Sequence, residues 1–527
     1  MTRLNFMPII IFAVSLFLFL FNIQHQEVIG FESRFYLFAL EMWQRGLSWF
    51  PTTYFEPYPD YPGASVWLMY LSACVFGGVS KFSAVFPSAA AAALTCVITY
   101  QTGMLREARF AIASVMMMFL TLTFLKCART VSIDVYPALF TAMSFYLAYS
   151  SDVLKQSSRR VWIYPMLLLS FLFRGPIGLV MPTGVVCIYD LINKKYKSFF
   201  ITGLIAAMIL LLATTGLLAI AYHVGGDSFM RDVLRMQVAG RIDNYYQPIY
   251  FYFIDSFGNY ALSYPIALFV MLDLFFRKSS RHERLLLLGL TGWVLVILIG
   301  MSIPGDKKIR YVLPMVPALA LLSAYVITTT TNTWVGHFVK KFLAVLFAIF
   351  PLICFLTLWW VHRFVQEKMM AISIEHAGLS ALLIFMQALN VFYYFSKNKQ
   401  SLSLLFVAAT SFYITYLGAI EPIDIYLNRA ARFVEQVEIE RLNAHAALVF
   451  YKERPDGLAI KYRINMPVLS QPLFIEDEAG LLKITTPAYF VTSEEVYYAM
   501  PKNLAKRFKL VGQERMGHAP IVVFTNR

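Results

Sequence analysis

The chain has 527 residues, of which 59% are hydrophobic and only 14% are charged, and its formal net charge at pH 7 is +14. In a soluble globular protein about a quarter of the residues are charged, so this composition excludes an ordinary soluble enzyme. Apolar runs of about 18 or more residues recur, each long enough to cross a hydrocarbon core as a helix. The positive charges cluster in short loops between these runs, which is the pattern of membrane topology and argues against nucleic-acid binding.

About thirteen transmembrane helices are predicted from these runs. They span roughly residues 5–22, 82–103, 108–125, 134–150, 161–173, 176–192, 198–222, 259–276, 284–302, 310–328, 340–361, 372–395 and 401–419. The positive-inside rule places the loops rich in lysine and arginine in the cytoplasm. This alternation holds only if the apolar stretch at about 63–79 lies in the outer interface without crossing. An odd number of spans then puts the C-terminus outside.

Two long loops are predicted on the outer side, at about 23–81 and 223–258. The first contains an amphipathic segment, Ser33 to Arg45, which we expect to lie flat on the membrane. The chain becomes polar from Glu421 onward, and three short alternating segments, 447–451, 489–492 and 521–525, read as strands. Residues 430–443 and 494–500 read as helices. The predicted organisation is a membrane domain at 1–420 and a small extracytoplasmic α/β domain at 421–527.

Charged residues recur at the outer ends of the apolar runs. Six of them fall on this face: Glu32, Asp60, Asp134, Arg174, Lys307 and Arg310. A charge beside lipid is costly and usually functional, so a group on one face indicates a catalytic or binding site that faces away from the cytoplasm.

Each of these residues also has an ordinary structural explanation. Glu32 and Arg34 are two residues apart and could serve a phosphate-bearing substrate, or they could form a surface ion pair. Asp60 lies in an aromatic, proline-rich loop that could position a sugar, or that could be a plain turn. Asp134 precedes a predicted helix, where it could be an N-cap residue, although Arg129 nearby favours a functional cluster.

Cations at two further positions complete the pattern. Arg174 interrupts an apolar run, where it could be functional or could only snorkel to the interface. Lys307, Lys308 and Arg310 place three cations in one outer loop, against the topology rule, and an anionic lipid headgroup would account for them. The chain has no phosphate-binding glycine motif, so a soluble nucleotide-linked donor is not expected.

Six strings in chain order resemble motifs of one enzyme family. They are Phe31-Glu32-Ser33-Arg34-Phe35, Tyr54 to Pro62, Ala128-Arg129-Thr130 with Asp134, Phe173-Arg174-Gly175-Pro176, Tyr246 to Tyr252, and Lys307 to Pro317. The family is that of the GT-C glycosyltransferases that use polyprenyl-phosphate sugars, in particular the branch with the lipid A aminoarabinose transferases and relatives of the protein O-mannosyltransferases. Two positions depart from the family pattern: Phe31 stands where an aspartate is usual, and Tyr61 where a lysine is common.

The resemblance implies an all-α, polytopic GT-C-like fold and an inverting glycosyltransferase. Such an enzyme moves a sugar from a polyprenyl-phosphate carrier to a lipid A, glycan or protein acceptor. Asp134 or Glu32 would be the catalytic carboxylate, with Asp134 the stronger candidate. The other implied residues bind substrate: Arg34, Asp60, Tyr61, Arg129, Arg174, Lys307, Arg310 and Tyr311. No cofactor is certain, and a divalent metal near Glu32 stays an open alternative.

The expected location is the inner membrane, with the site and the C-terminal domain on its outer side. Membrane lipids, the lipid-linked donor and an envelope acceptor are the expected partners, and nucleic acid is not. Two other functions stay open from the sequence alone: a flippase or transporter for a lipid-linked sugar, and a non-catalytic protein of envelope assembly. A transporter would favour paired repeats and charges near the membrane midplane, which the sequence does not contain.

Overall fold

The computed structural model describes the chain apart from residues 1–5, 29, 240–246, 277–279, 330–332, 369–375, 397–400, 428–429 and 517–518. Parts of three predicted cytoplasmic loops, at 277–279, 330–332 and 397–400, and Tyr246 of the family-like strings therefore lie outside the described residues. The chain divides into two compact units. The first comprises Met1–Phe21, Pro59–Ser65 and Val85–Ile420, and the second comprises Asn22–Tyr58, Val66–Ala84 and Glu421–Arg527.

Helices make up nearly all of the described chain before residue 428. Their bounds are Met7–Leu20, Glu32–Arg45, Ala64–Phe76, Lys81–Met104, Ala108–Phe119, Leu122–Ala128, Val135–Val153, Ile163–Arg174, Pro176–Ile192, Tyr196–Leu234, Phe251–Asn259, Ser263–Phe276, Arg281–Ser302, Val316–Thr328, Trp334–Lys368, His376–Phe395, Ser401–Thr415 and Glu421–Leu427. Short 3-10 helices at Ile23–His25, Ser157–Trp162 and Ile309–Met315, and π-helical turns at Arg235–Ala239 and Tyr416–Ile420, interrupt or extend them.

The helices confirm the predicted class of membrane protein. Within the described residues, eight helices are long and apolar enough to span a membrane, or up to ten if each of two bent helix pairs counts as one span. The predicted number of thirteen stays a prediction. The Val316–Thr328 helix belongs to the first unit and is buried along almost its whole length.

Two helices of the loop predicted at 23–81 correspond to segments identified in the sequence. The amphipathic segment forms the Glu32–Arg45 helix, which buries apolar residues such as Leu37 and Phe38. The apolar stretch near residue 70 forms the Ala64–Phe76 helix of 13 residues. At 1.5 Å per residue this helix is about 20 Å long, which is shorter than the hydrocarbon core. Its length therefore agrees with the expectation that this stretch does not cross.

The C-terminal part of the second unit contains a five-stranded mixed sheet. Its strands lie in the order Leu473–Ile475, Ala447–Tyr451, Ala488–Ser493, Ala519–Thr525 and Lys509–Met516. The first three strands are parallel to one another, and the last two pair in antiparallel fashion. The three predicted strands are confirmed, and the two edge strands were missed. One edge strand has only three residues, and the other carries exposed charged residues, so neither shows strand periodicity.

Helices Ala430–Asn443, Leu458–Arg463, Glu478–Lys483, Glu494–Tyr498 and Lys502–Ala505 surround the sheet. The Glu32–Arg45 helix belongs to the same unit. Its Leu37 forms a buried apolar cluster with Ile460, Ile464 and Leu469. Burial of apolar surface therefore attaches the Glu32–Arg45 helix to the C-terminal part of the second unit.

Candidate active site

Asp134 is the centre of a buried charge cluster in the first unit. Its Oδ1 accepts a hydrogen bond from Arg174 Nε at 3.2 Å, and its Oδ2 accepts one from Arg310 Nε at 2.8 Å. Asp134 immediately precedes the Val135–Val153 helix, yet its side chain makes no capping hydrogen bond. The carboxylate therefore binds the two arginines and does not cap the helix with its side chain.

Aromatic rings fix the two guanidinium groups further. The Arg174 guanidinium carbon lies 5.4 Å from the centre of the Tyr61 ring and 5.2 Å from that of Tyr311. The Arg310 guanidinium carbon lies 5.4 Å from the centre of the Tyr311 ring. Such contacts attract a cation electrostatically and restrict its orientation. The sequence had indicated all four of these residues as substrate-binding candidates. It did not predict the contacts between the rings and the guanidinium groups, because these depend on distances in the folded chain.

The chain around Arg174 explains how the residue is placed. Arg174 ends one helix, where the negative end of the helix dipole favours a cation. Gly175 then adopts a left-handed φ of +67°, and Pro176 begins the next helix. The backbone angle favours glycine, and a Cβ at Gly175 would lie only 2.5 Å from Oε1 at the end of the Gln237 side chain, which would then have to move. Gln237 in turn donates its amide to the carbonyl of Asp60 at 2.5 Å.

A small cavity adjoins the cluster. Asp134, Arg174, Met301, Asp306 and Tyr311 are among the residues that line it, and its free volume is about 10 Å³. This is about the volume that one water molecule needs. The cavity in this structure is thus too small for a sugar, and a substrate would have to open it.

Lys307 lies in the same loop as Arg310. Its side chain is buried, and its Nζ donates a hydrogen bond to the carbonyl of Gln247 at 2.9 Å. Tyr311 lies on the 3-10 helix Ile309–Met315, and its hydroxyl is 3.4 Å from Asp306 Oδ2. Of the cation-rich string, Arg310 and Tyr311 therefore contact the Asp134 cluster. The described hydrogen bond of Lys307 goes to the backbone of Gln247.

Arg129 has a different environment from the one its sequence suggested. It is almost fully buried and donates to the carbonyls of Leu18, Phe19 and Phe21 at 2.7, 3.3 and 2.8 Å. These carbonyls end the first membrane helix, where backbone acceptors lack helical partners. The described bonds of Arg129 thus satisfy a helix C-terminus, and its predicted role in substrate binding stays a prediction.

The second unit holds the other candidate carboxylate. Glu32 is fully buried at the start of its helix and forms a salt bridge with Lys81, which also donates to the carbonyl of Glu27 at 3.2 Å. Burial, together with the charge of Glu32, raises the pKa of Tyr36 to about 12. Lys81 was missed in the sequence. A lysine at the predicted outer end of a span, against the positive-inside rule, was the available signal.

Arg34 lies two residues beyond Glu32 and is partly exposed. Its Nη1 donates to the hydroxyl of Tyr58 at 2.8 Å, and its Nη2 lies 3.9 Å from the carboxylate of Asp456. Because Glu32 and Arg34 belong to the second unit, their predicted convergence with the Asp134 cluster stays a prediction.

The metal alternative finds no support in the geometry. Within the part of the chain that the structure describes, no group of three or more histidine, cysteine, aspartate or glutamate side chains could hold a metal ion. Glu32, the residue considered for this role, has its carboxylate paired with Lys81. A divalent cation there would face a buried ammonium group, so the residues present do not fit a metal.

Comparisons with known proteins agree with this fold. Residues 60–222 match the family model for dolichyl-phosphate-mannose-protein mannosyltransferase. The structure is similar to that of ArnT from Cupriavidus metallidurans in the apo state, with a TM-score of 0.74 and 16% identity, over 98% of this chain and 97% of that one. The same protein bound to undecaprenyl phosphate matches with a TM-score of 0.72 and 15% identity, over 100% of this chain and 99% of that one.

A curated relative points in the same direction. The undecaprenyl phosphate-alpha-4-amino-4-deoxy-L-arabinose arabinosyl transferase of Serratia proteamaculans (strain 568) is 27% identical over 376 residues, which are 67% of this chain and 66% of that protein. The chain spans between about half and two thirds of the length of the curated relatives it matches. Together, the comparisons confirm the resemblance that the motifs indicated, and they confirm the predicted GT-C-like fold.

Proposed function

We propose that the chain is an integral-membrane glycosyltransferase that moves a sugar from a polyprenyl-phosphate carrier to an acceptor in the cell envelope. The fold and the activities of the proteins that the chain resembles support this proposal. The acceptor is a lipid such as lipid A, a glycan or a protein.

The observation that carries the proposal is the pair of arginines held on Asp134. Arg174 and Arg310 are fixed by a carboxylate and by tyrosine rings before any substrate arrives. A guanidinium binds phosphate oxygens in a planar fork. When the bond between the sugar and the carrier phosphate breaks, negative charge grows on the phosphate. Cations that are already oriented stabilise that charge without reorganisation.

The remaining candidate residues have roles in this scheme. Lys307 and Arg34 would add positive charge for the carrier phosphate, and Asp60 and Tyr61 would form part of the sugar-binding surface. Glu32 would accept the proton of an acceptor hydroxyl as the new glycosidic bond forms. Asp134 would act chiefly by holding its two arginines, since both of its carboxylate oxygens accept hydrogen bonds from them. If the acceptor is itself a phosphate, no proton has to be removed and positioning dominates.

The proposed location follows from the distribution of charge. The lysine- and arginine-rich loops would face the cytoplasm, which puts Asp134, Glu32 and residues 421–527 on the outer side of the inner membrane. A lipid-linked donor in the outer leaflet would then reach the site directly. In this arrangement, residues 1–420 form the membrane domain and residues 421–527 a soluble domain outside it.

Mass spectrometry of envelope lipids and glycans, from cells with and without the chain, tests the proposal. Loss of the chain should remove one sugar modification and cause the corresponding lipid-linked sugar to accumulate. Arg174→Met should reproduce the loss. Arg160→Met is the matched control, because Arg160 also pairs with a buried aspartate, Asp190, but belongs to a different ion-pair network. An unchanged set of envelope glycans would refute the proposal. Failure of the purified chain to transfer the sugar in detergent, where no bilayer has to be crossed, would favour a flippase.

A further inference from the structure

The first outer loop contains a hairpin with an unusual turn. Strands Thr52–Thr53 and Glu56–Pro57 pair in antiparallel fashion, and only Tyr54 and Phe55 lie between them. These two residues have φ values of +55° and +65°. A two-residue hairpin turn with both φ values positive is of type I′ and strongly favours Asn-Gly. Large aromatic residues rarely adopt this conformation, so contacts outside the turn must hold it.

Glu41 provides the first of these contacts. Its Oε1 accepts a hydrogen bond from the backbone N–H of Tyr54 at 2.8 Å, and its Oε2 accepts one from the N–H of Phe55 at 2.9 Å. The side chain of Glu41 is fully buried. One carboxylate thus binds both strained residues of the turn, and it needs a positive partner at the same place.

That partner is Arg463, at the end of a helix in the C-terminal domain. Its Nη2 lies 3.2 Å from Glu41 Oε1, and its guanidinium carbon lies 4.3 Å from the centre of the Tyr54 ring. Two neighbouring groups of the domain add bonds to the turn. The Tyr54 hydroxyl donates to the carbonyl of Pro455 at 2.5 Å, and Gln471 Nε2 donates to the carbonyl of Tyr54 at 3.1 Å.

Stability alone does not explain this arrangement. Arg463 is fully buried, and its Nε and Nη1 make no hydrogen bond among the described residues. Burial lowers the pKa of Arg463, and Glu41 opposes the shift. A buried ion pair is often no more stable than apolar residues of the same volume, and one with unsatisfied donors is worse. The pair is better explained by what it positions.

The hairpin leads directly into the candidate active site. Pro57 ends its second strand, and Asp60 and Tyr61 follow within four residues of the chain. Tyr61 is the residue whose ring contacts Arg174. If the hairpin lost this conformation, the backbone that leads to Asp60 and Tyr61 would follow a different path.

We propose that Arg463 is a positioning residue of the active site: through Glu41 it holds the hairpin turn in its left-handed conformation and so fixes the entry of the chain into Asp60 and Tyr61. The C-terminal domain thereby supplies the contacts that hold the hairpin of the first outer loop in place. The predicted effect on transfer rests on the proposed function, whereas the effect on the hairpin does not.

Hydrogen exchange of the purified full-length chain tests the structural part. Arg463→Met should speed amide exchange in peptides covering residues 48–60 by roughly tenfold or more, because local opening becomes easier. Glu41→Gln removes the charge from the other side of the contact and should have the same effect. Arg441→Met is the matched control, because Arg441 forms a similarly buried pair with Glu438 inside the domain. Unchanged exchange in the first two variants, or equal acceleration in the control, would overturn the proposal.

A compensating turn tests the link to activity. Replacing Tyr54 and Phe55 by Asn and Gly gives a sequence that adopts a type I′ turn by itself. In the Arg463→Met background, Y54N/F55G should restore both slow exchange and transfer, from a loss of about tenfold or more to within about threefold of the parent rate. Restored exchange with transfer still lost would refute the positioning role. If the wild-type chain shows no transfer at all, the proposed function fails, and the exchange measurement still decides the role of Arg463.

Discussion

Replacement of Asp134 by asparagine removes the charge that holds the cluster together while it keeps the size of the side chain. In the wild-type protein, one carboxylate oxygen accepts from Arg174 and the other from Arg310. An asparagine has one oxygen and one N–H₂ group, so in the same orientation it accepts from one of the two arginines and presents a donor to the other. The variant therefore leaves two guanidinium groups close together without the carboxylate that accepts from both of them.

The size of the effect follows from the burial of the three side chains. Arg174 is 5% exposed, Asp134 6% and Arg310 17%, so solvent screens these interactions little. Removal of one partner from a buried ion pair costs about 3–5 kcal/mol. Two hydrogen bonds to a charged group, at about 1.5–3 kcal/mol each, give a similar range. We expect Asp134→Asn to lower the free energy of unfolding by about 3–5 kcal/mol.

A double-mutant cycle provides the assay. Denaturant unfolding of the detergent-solubilised chain would be compared for the wild type, Asp134→Asn, Arg310→Met and the double variant. Because Arg310→Met removes one of the two uncompensated cations, the double variant should be more stable than the sum of the single effects. The expected coupling is on the order of 1–3 kcal/mol. Additivity within about 0.5 kcal/mol would show that Asp134 does not hold Arg310, and the reasoning would be wrong.

Three further outcomes are expected from the described contacts and the predicted topology. Lys81→Met should lower the transfer rate as strongly as Glu32→Gln, because it removes the ammonium group that pairs with the buried Glu32 carboxylate. Equal transfer rates for Lys81→Met and the wild type would contradict this. Lys307→Met should weaken binding of undecaprenyl phosphate by about tenfold, which is about 1.4 kcal/mol, as measured by titration, and an unchanged affinity would remove Lys307 from the phosphate site. A membrane-impermeant maleimide added from outside should label a cysteine placed at Tyr58 but not one placed at Lys195, and labelling at Lys195 would reverse the proposed orientation.

The sequence predicted those features that depend on local periodicity. The membrane helices and the Glu32–Arg45 helix follow from the length and spacing of apolar residues, and three strands of the C-terminal domain follow from alternation. It also placed Asp134, Arg174 and Arg310 on one face. It did not predict that one carboxylate pairs with both arginines, because this depends on the distance between three separate helix ends.

Two other features escaped the sequence for physical reasons. Lys81 begins a long apolar helix at its predicted outer end, and although it departs from the positive-inside rule, its pairing with Glu32 depends on a distance between separate helices. The hairpin turn at Tyr54 and Phe55 carries none of the residues that favour positive φ, since Glu41 and Arg463 hold it from distant parts of the chain. A backbone conformation that its own residues do not favour is expected mainly at functional or strained sites.

The charge balance of the cluster leads to a last prediction. Asp134 cancels one of the two arginine charges, so the three side chains Asp134, Arg174 and Arg310 together carry about +1, and removal of Asp134 raises this by one while Asp306 of the same cavity and Lys307 stay the same. A lipid-linked sugar carries about one negative charge on its phosphodiester. The released carrier phosphate carries about −1.5 to −2 at neutral pH. Without Asp134 the cluster would suit the product better than the donor, although its arginines would be less well oriented for the transition state.

We therefore expect Asp134→Asn to bind undecaprenyl phosphate at least as tightly as the wild type while its turnover falls by about 10²-fold or more, as for the loss of an oriented donor at a developing charge. Titration with undecaprenyl phosphate and single-turnover transfer would separate the two effects. Asp134→Glu is the control, because it keeps the charge and changes only the reach of the carboxylate. If Asp134→Asn lost affinity for the carrier phosphate in proportion to its loss of turnover, Asp134 would serve donor binding directly, and the charge-matching argument would not hold.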